Sequence, residues 1–140
     1  MKTDQVDFDT LALLLRADLI PVAHMIAPAQ RGPRDLMRTR LRLVEKSVSA
    51  QNSIDRLLEK FNASDVAALD ELYQLHAACH AAQLQLLADQ IRTVERALYP
   101  YLVPDADVQR LLWIPGLGKV NAFTTYTEID GVTRFPSARQ

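Results

Sequence analysis

The chain has 140 residues, 24% charged and 49% hydrophobic, and its sixteen Lys and Arg against seventeen Asp and Glu leave a net charge of -1; this excludes a uniformly basic nucleic-acid binder but not a local basic patch. Four Gly and four Phe with one Trp argue against a Gly-rich or aromatic-rich β fold, and a single cysteine, Cys79, excludes an internal disulfide framework. The charge is concentrated: Arg31, Arg34, Arg38, Arg40, Arg42 and Lys46 stand against only Asp35 and Glu45 in residues 31–46, while the flanking segments are acidic or balanced.

The first ten residues, MKTDQVDFDT, carry three Asp where a secretory signal needs cations and an apolar core. No apolar run approaches the roughly 20 residues of a membrane span, so a soluble, cytoplasmic protein is expected. From Asp4 to Leu19 the spacing of Val6, Leu11, Leu14 and Leu15 predicts a helix. Pro21, Pro28, Gly32 and Pro33 then predict a break, within which Leu19 to Ala23 reads as an edge strand or an extended linker. A long helix is predicted over 34–61, with Met37, Leu41, Val44 and Val48 as a coiled-coil seam that Ile54, Leu57, Leu58 and Phe61 continue. After a turn with Ser64 as N-cap, a second helix is predicted over 65–99, its seam being Ala68, Leu72, Leu75, Cys79, Ala82 and Leu86 at spacings of 4, 3, 4, 3 and 4, then shifting to Leu87, Ile91, Val94 and Leu98. Two such helices, roughly 42 and 52 Å long, should pack antiparallel and leave Leu43, Leu69, Tyr73 and Leu84 uncovered, which predicts self-association. The tail reads as a short helix over 105–113, a tight turn over Ile114 to Gly118, a helix over Lys119 to Ile129 stopped by Asp130-Gly131, and a further helix starting at Pro136. The fold class is mainly α.

Three constellations carry chemistry. Leu112-Trp113-Ile114-Pro115-Gly116-Leu117-Gly118-Lys119 has the helix-hairpin-helix pattern, in which a Pro-Gly-apolar-Gly turn joins two short helices. Gly116 and Gly118 permit close approach, the N–H groups of the next helix can hold a phosphate, and Lys119 adds a point charge. The same turn also serves as a plain αα corner. Arg34, Arg38, Arg42 and Lys46 recur every four residues as a cationic stripe about 18 Å long, able to track phosphates or to flank a coiled coil. Asp4 and Asp7, with Asp9 nearby, set two carboxylates three apart, as Mg²⁺ sites for phosphoryl transfer require, though two acids are not a full site. His76 and His80 could share a zinc at this spacing, but with Cys79 in the seam and no further ligand they read as packing and surface residues.

Together these pieces resemble the DEDD-type insertion-sequence transposases, the Piv/MooV-like DNA recombinases of the insertion-sequence family numbered one hundred and ten. Lys2-Thr3-Asp4-x-x-Asp7 followed by Leu11-Ala12-x-Leu14-Leu15-Arg16-Ala17-Asp18-Leu19-Ile20-Pro21 looks like the end of the family's RuvC-like catalytic domain. The basic helix and its partner look like its coiled-coil insert. Leu112 to Gly118, then Glu128-Ile129-x-Gly131-x-x-x-Arg134-Phe135-Pro136-Ser137-Ala138-Arg139-Gln140, looks like the start of its C-terminal transposase domain.

The resemblance implies three parts: residues 1–30 as a RuvC-like α/β remnant with its linker, 31–103 as a coiled-coil helical hairpin, and 104–140 as the helix-hairpin-helix that opens the transposase domain. It implies Mg²⁺ as cofactor, with Asp4 and Asp7 as the third and fourth acids of a four-acid site whose other two would lie upstream. It also implies a serine nucleophile beyond the Arg-Phe-Pro-Ser-Ala-Arg-Gln segment. The expected function is therefore that of an internal transposase fragment that binds DNA, or a structured guide RNA, through Arg34, Arg38, Arg42, Lys46, Gly116, Gly118 and Lys119. Such a fragment would self-associate without catalysing alone. The competing expectations are a coiled-coil adaptor whose hairpin contacts protein, and a recombinase subunit completed in trans.

Overall fold

A computed structural model describes residues 4–20, 24–131, 135 and 137, the side chains of Asp4 and Gln5 excepted. It contains α1 (Asp4–Arg16), α2 (Pro28–Lys60), a 3₁₀ turn (Val66–Ala68), α3 (Glu71–Leu102), α4 (Ala106–Leu112) and α5 (Lys119–Ile129), and no strand occurs among the described residues. The possible edge strand at Leu19 to Ala23 falls largely on residues 21–23, outside the described residues, as does most of the helix predicted from Pro136.

Helix α2 starts at Pro28, six residues before the expected Arg34, and runs through Gly32 and Pro33. Pro28 occupies the first helical position, where its missing N–H would have no helical acceptor anyway. Pro33 forfeits one bond, to the carbonyl of Ala29. Contacts from this first stretch offset that loss: Gln30 Nε2 donates to the Tyr126 hydroxyl at 3.0 Å, and Arg34 binds Glu128.

Helices α2 and α3 run antiparallel. Arg40 Nε meets Glu95 Oε1 at 2.7 Å near one end, and Leu57 packs with Leu69 and Ala77 near the other. Asp65, rather than Ser64, caps the turn between them by accepting from the Ala68 N–H at 3.0 Å, which delays α3 to Glu71. At its far end α3 passes through Pro100 to Leu102. Arg96, whose carbonyl loses its donor there, is exposed, and the buried Leu98 and Leu102 hold the final turn.

The buried face matches the sequence expectation in part. Met37, Ala50, Ile54 and Leu57 are buried on α2, whereas Leu41 and Val48 are exposed. On α3 the inward series is Tyr73, Ala77, His80, Leu84, Leu87, Ile91, Val94 and Leu98, all buried or half-buried, so the expected seam holds from Leu87 onward and fails before it. The stripe read as its seam before Leu87 faces water, with Leu72 79%, Leu75 63% and Leu86 59% exposed. Both series keep 3–4 spacing, and between Glu71 and Asp89 no charged residue marks either side as outward. The phase is set instead where Leu98 and Leu102 join Met37, Val108, Phe123 and Tyr126 in the core between α2, α3, α4 and α5. Leu43, Leu69, Tyr73 and Leu84, expected to lie uncovered, are buried or half-buried. Replacing Leu98 by Ala should therefore cost about 2–5 kcal/mol in urea unfolding, while Leu72→Ala should stay within about 0.5 kcal/mol at monomer concentrations.

Asp105 ties the small helices to the pair. Its Oδ1 caps α4 by accepting from Asp107 N at 2.9 Å and Val108 N at 3.4 Å, and its Oδ2 accepts from the Tyr126 hydroxyl at 2.6 Å. Burial, then the bond to Asp105, pushes the Tyr126 hydroxyl above its ordinary range, which keeps it a donor. Helix α1 contributes to neither buried cluster, and its Val6, Phe8, Leu11, Leu13 and Leu15 are exposed.

Candidate nucleic-acid interface

Helix α2 carries Arg34, Arg38, Arg42 and Lys46 with four-residue spacing, but the fold divides them into two pairs. Glu128 of α5 takes the first two. Arg34 donates to its Oε2 through Nε at 3.0 Å and Nη2 at 2.7 Å. Arg38 donates to Oε1 through Nε at 2.7 Å and to Oε2 through Nη2 at 3.0 Å. Hydrogen bonds from Arg38 and then Arg34 pull the Glu128 carboxyl down to about 2. Arg42 and Lys46 are exposed and have no carboxylate partner among the described residues. Arg40, on the face toward α3, is matched by Glu95.

This clamp has a consequence for stability. Glu128 is ionised in the folded chain down to about pH 2 but titrates near 4.5 when free of its partners. Its contribution is thus fully present above pH 4.5 and is lost as pH falls from 4.5 toward 2. The carboxylate is a third exposed, so solvent screening holds that contribution to about 1 kcal/mol. Chemical unfolding across this window should show the fall in the native chain and a flatter profile in Glu128→Gln.

The turn from α4 to α5 lies at the opposite end of α5 from Glu128, about 14 Å away along the helix. Gly116 sits at φ +85°, a conformation that strains any residue with a Cβ. Gly118 is the extended N-cap of α5, and a Cβ there would meet nothing within 4 Å. Glycine is therefore required by conformation at 116, and close approach within the chain does not explain it at 118. No side chain caps α5, so its first N–H groups remain available to an acceptor. Lys119 is exposed, donates to the Tyr99 hydroxyl at 3.1 Å and lies 5.6 Å above that ring. A cleft of about 140 Å³ lined by Arg40, Glu95, Tyr99, Lys119, Val120 and Phe123 joins this end of α5 to α2 and α3.

The acids and histidines stand apart from these cations. Asp4 and Asp7 occupy the first turn of α1, where carboxylates also suit the helix dipole; Asp7 is exposed, and the side chain of Asp4 lies outside the described residues. Among the described residues no group of three His, Cys, Asp or Glu side chains could share a metal. His76, exposed, and His80, half-buried on the inward side of α3, are in mutual contact, Nε2 to Nε2 at 3.1 Å. In the sequence Glu128 figures only at the head of the C-terminal motif, with no role attached; it is the only acid in α5, and its partners lie 90 and 94 residues away.

Over its whole length the sequence is similar to that of an insertion-sequence transposase. That relative is the transposase for insertion sequence element IS1328 of Yersinia enterocolitica, 27% identical over 157 aligned residues that cover 99% of this chain and 47% of the relative. The chain thus spans about half the length of the curated relative it matches. No family model matches the chain, and no solved structure does. Among the described residues no helix is long and apolar enough to cross a membrane.

Proposed function

We propose that this chain is a portion of a DEDD-type insertion-sequence transposase, acting in the cytoplasm, that holds nucleic-acid backbone and associates with itself. Arg42 and Lys46, exposed and without a carboxylate partner on a helix of a chain similar end to end to a transposase, carry the reading. They meet phosphates directly, and Lys119 with the uncapped start of α5 supplies a second contact of the helix-hairpin-helix kind. Residues 1–30 are read as the RuvC-like remnant, 31–103 as the coiled-coil insert and 104–140 as the start of the transposase domain. The exposed apolar residues of α1 support the first assignment, because a helix drawn from a larger α/β domain presents such a surface. With Asp4 and Asp7 alone, strand cleavage is not assigned to this chain.

The reading is tested by fluorescence anisotropy with duplex DNA, and in parallel with a structured RNA, across a salt series. Log affinity should fall with log salt at a slope of roughly -0.9 per phosphate, near -2 for Arg42 and Lys46 and near -3 when Lys119 joins. Salt-independent binding, or none to either nucleic acid at low salt, overturns it and favours an adaptor whose hairpin contacts protein.

A further inference from the structure

On α3 no charged residue occurs between Glu71 and Asp89, although much of that stretch faces water. Its outer strip is Leu72, Leu75, Cys79, Ala82 and Leu86, all exposed, at spacings of 3, 4, 3 and 4. The exposed side of α2, by contrast, carries Arg42, Glu45, Lys46, Arg56 and Glu59. We infer that the outer strip of α3 is the contact between two copies of this chain; the inference gives a surface to the self-association proposed above.

Two features single out a second copy as the occupant. A two-fold contact sets a surface against itself, so any net charge on it would meet its like. An uncharged strip answers that constraint, which a partner of different sequence would not impose. The ends of the strip are symmetric about Cys79, since Leu72 and Leu86 each lie seven residues from it, while Leu75 and Ala82 lie four and three residues away. An antiparallel copy therefore sets Leu72 against the second copy's Leu86 and Cys79 against Cys79, with the helix dipoles opposed. The small Cys79 and Ala82 let the helices approach, and the flanking leucines close over the ends. The strip is about 21 Å long, which suits a reversible dimer better than an obligate one.

The test uses the full chain in sedimentation velocity from about 1 to about 100 μM, where standard-size reversible interfaces are read. The native chain should move from 15.7 kDa toward twice that mass, and a short bis-maleimide should join it covalently through Cys79. Leu75→Glu should weaken dimerisation at least tenfold and abolish the cross-link. Circular dichroism should show its helices intact, because Leu75 is exposed; if they are not, Leu75→Gln takes its place. A dimer that forms equally well in the variant and resists cross-linking overturns this surface and leaves self-association through another face. A native chain that stays monomeric at every concentration overturns both.

Discussion

Replacing Glu128 with Gln should tighten binding to duplex DNA about tenfold at low salt and steepen the salt slope by about 2. The reason lies in the division of the stripe. Arg34 and Arg38 direct four hydrogen bonds at one carboxylate, so a phosphate that reaches for them competes with an acceptor already in place. Glutamine removes the charge but keeps an oxygen that can accept from one guanidinium, so α5 should remain docked through its bonds and packing around Tyr126. The variant thus loses a little stability near neutral pH while gaining affinity, an opposition that a purely structural role for the clamp would not produce. Anisotropy with the same duplex across a salt series, alongside urea unfolding, measures both. Unchanged affinity and slope would mean that Arg34 and Arg38 serve only to hold α5.

The helical character of the chain was legible because the two long segments lack an interior breaker over most of their length, and the short helices are punctuated by Asp105, Gly118 and Asp130. The prolines misled at both edges. Pro28 and Pro33 lie in the opening of α2 and Pro100 in the last turn of α3, where the chain loses little by lacking a donor and packing decides. The orientation of α3 was legible from Leu87 to Leu98 but not in its first half. With no charge from Leu72 to Ala88 the sequence holds two interleaved heptad series, and spacing alone cannot say which one faces α2.

At the candidate site the cations were legible as residues but not as charges free to act. The stripe is visible in the four-residue spacing, whereas its partial neutralisation depends on a contact across 90 residues that brings α5 over α2. At the turn, the two glycines look alike in the sequence. Only the backbone separates Gly116, left-handed, from Gly118, extended and open to solvent.

The second large effect is expected from removing the two cations without a carboxylate partner. Arg42→Ala with Lys46→Ala should flatten the salt slope by about 2 and weaken binding by roughly two orders of magnitude at low salt, equally for duplexes of different sequence, because phosphate contacts carry no base readout. Both side chains are exposed, so stability should change by less than about 0.5 kcal/mol. Arg34→Ala with Arg38→Ala makes the informative comparison. In the native background that pair should reduce affinity less than the Arg42 and Lys46 pair does, since Glu128 already occupies both guanidinium groups. In the Glu128→Gln background the two pairs should cost about the same. That departure from additivity is the coupling between Glu128 and the stripe. Equal losses for both pairs in the native background would show that phosphate displaces Glu128 readily, and that the four cations act as one stripe despite the clamp.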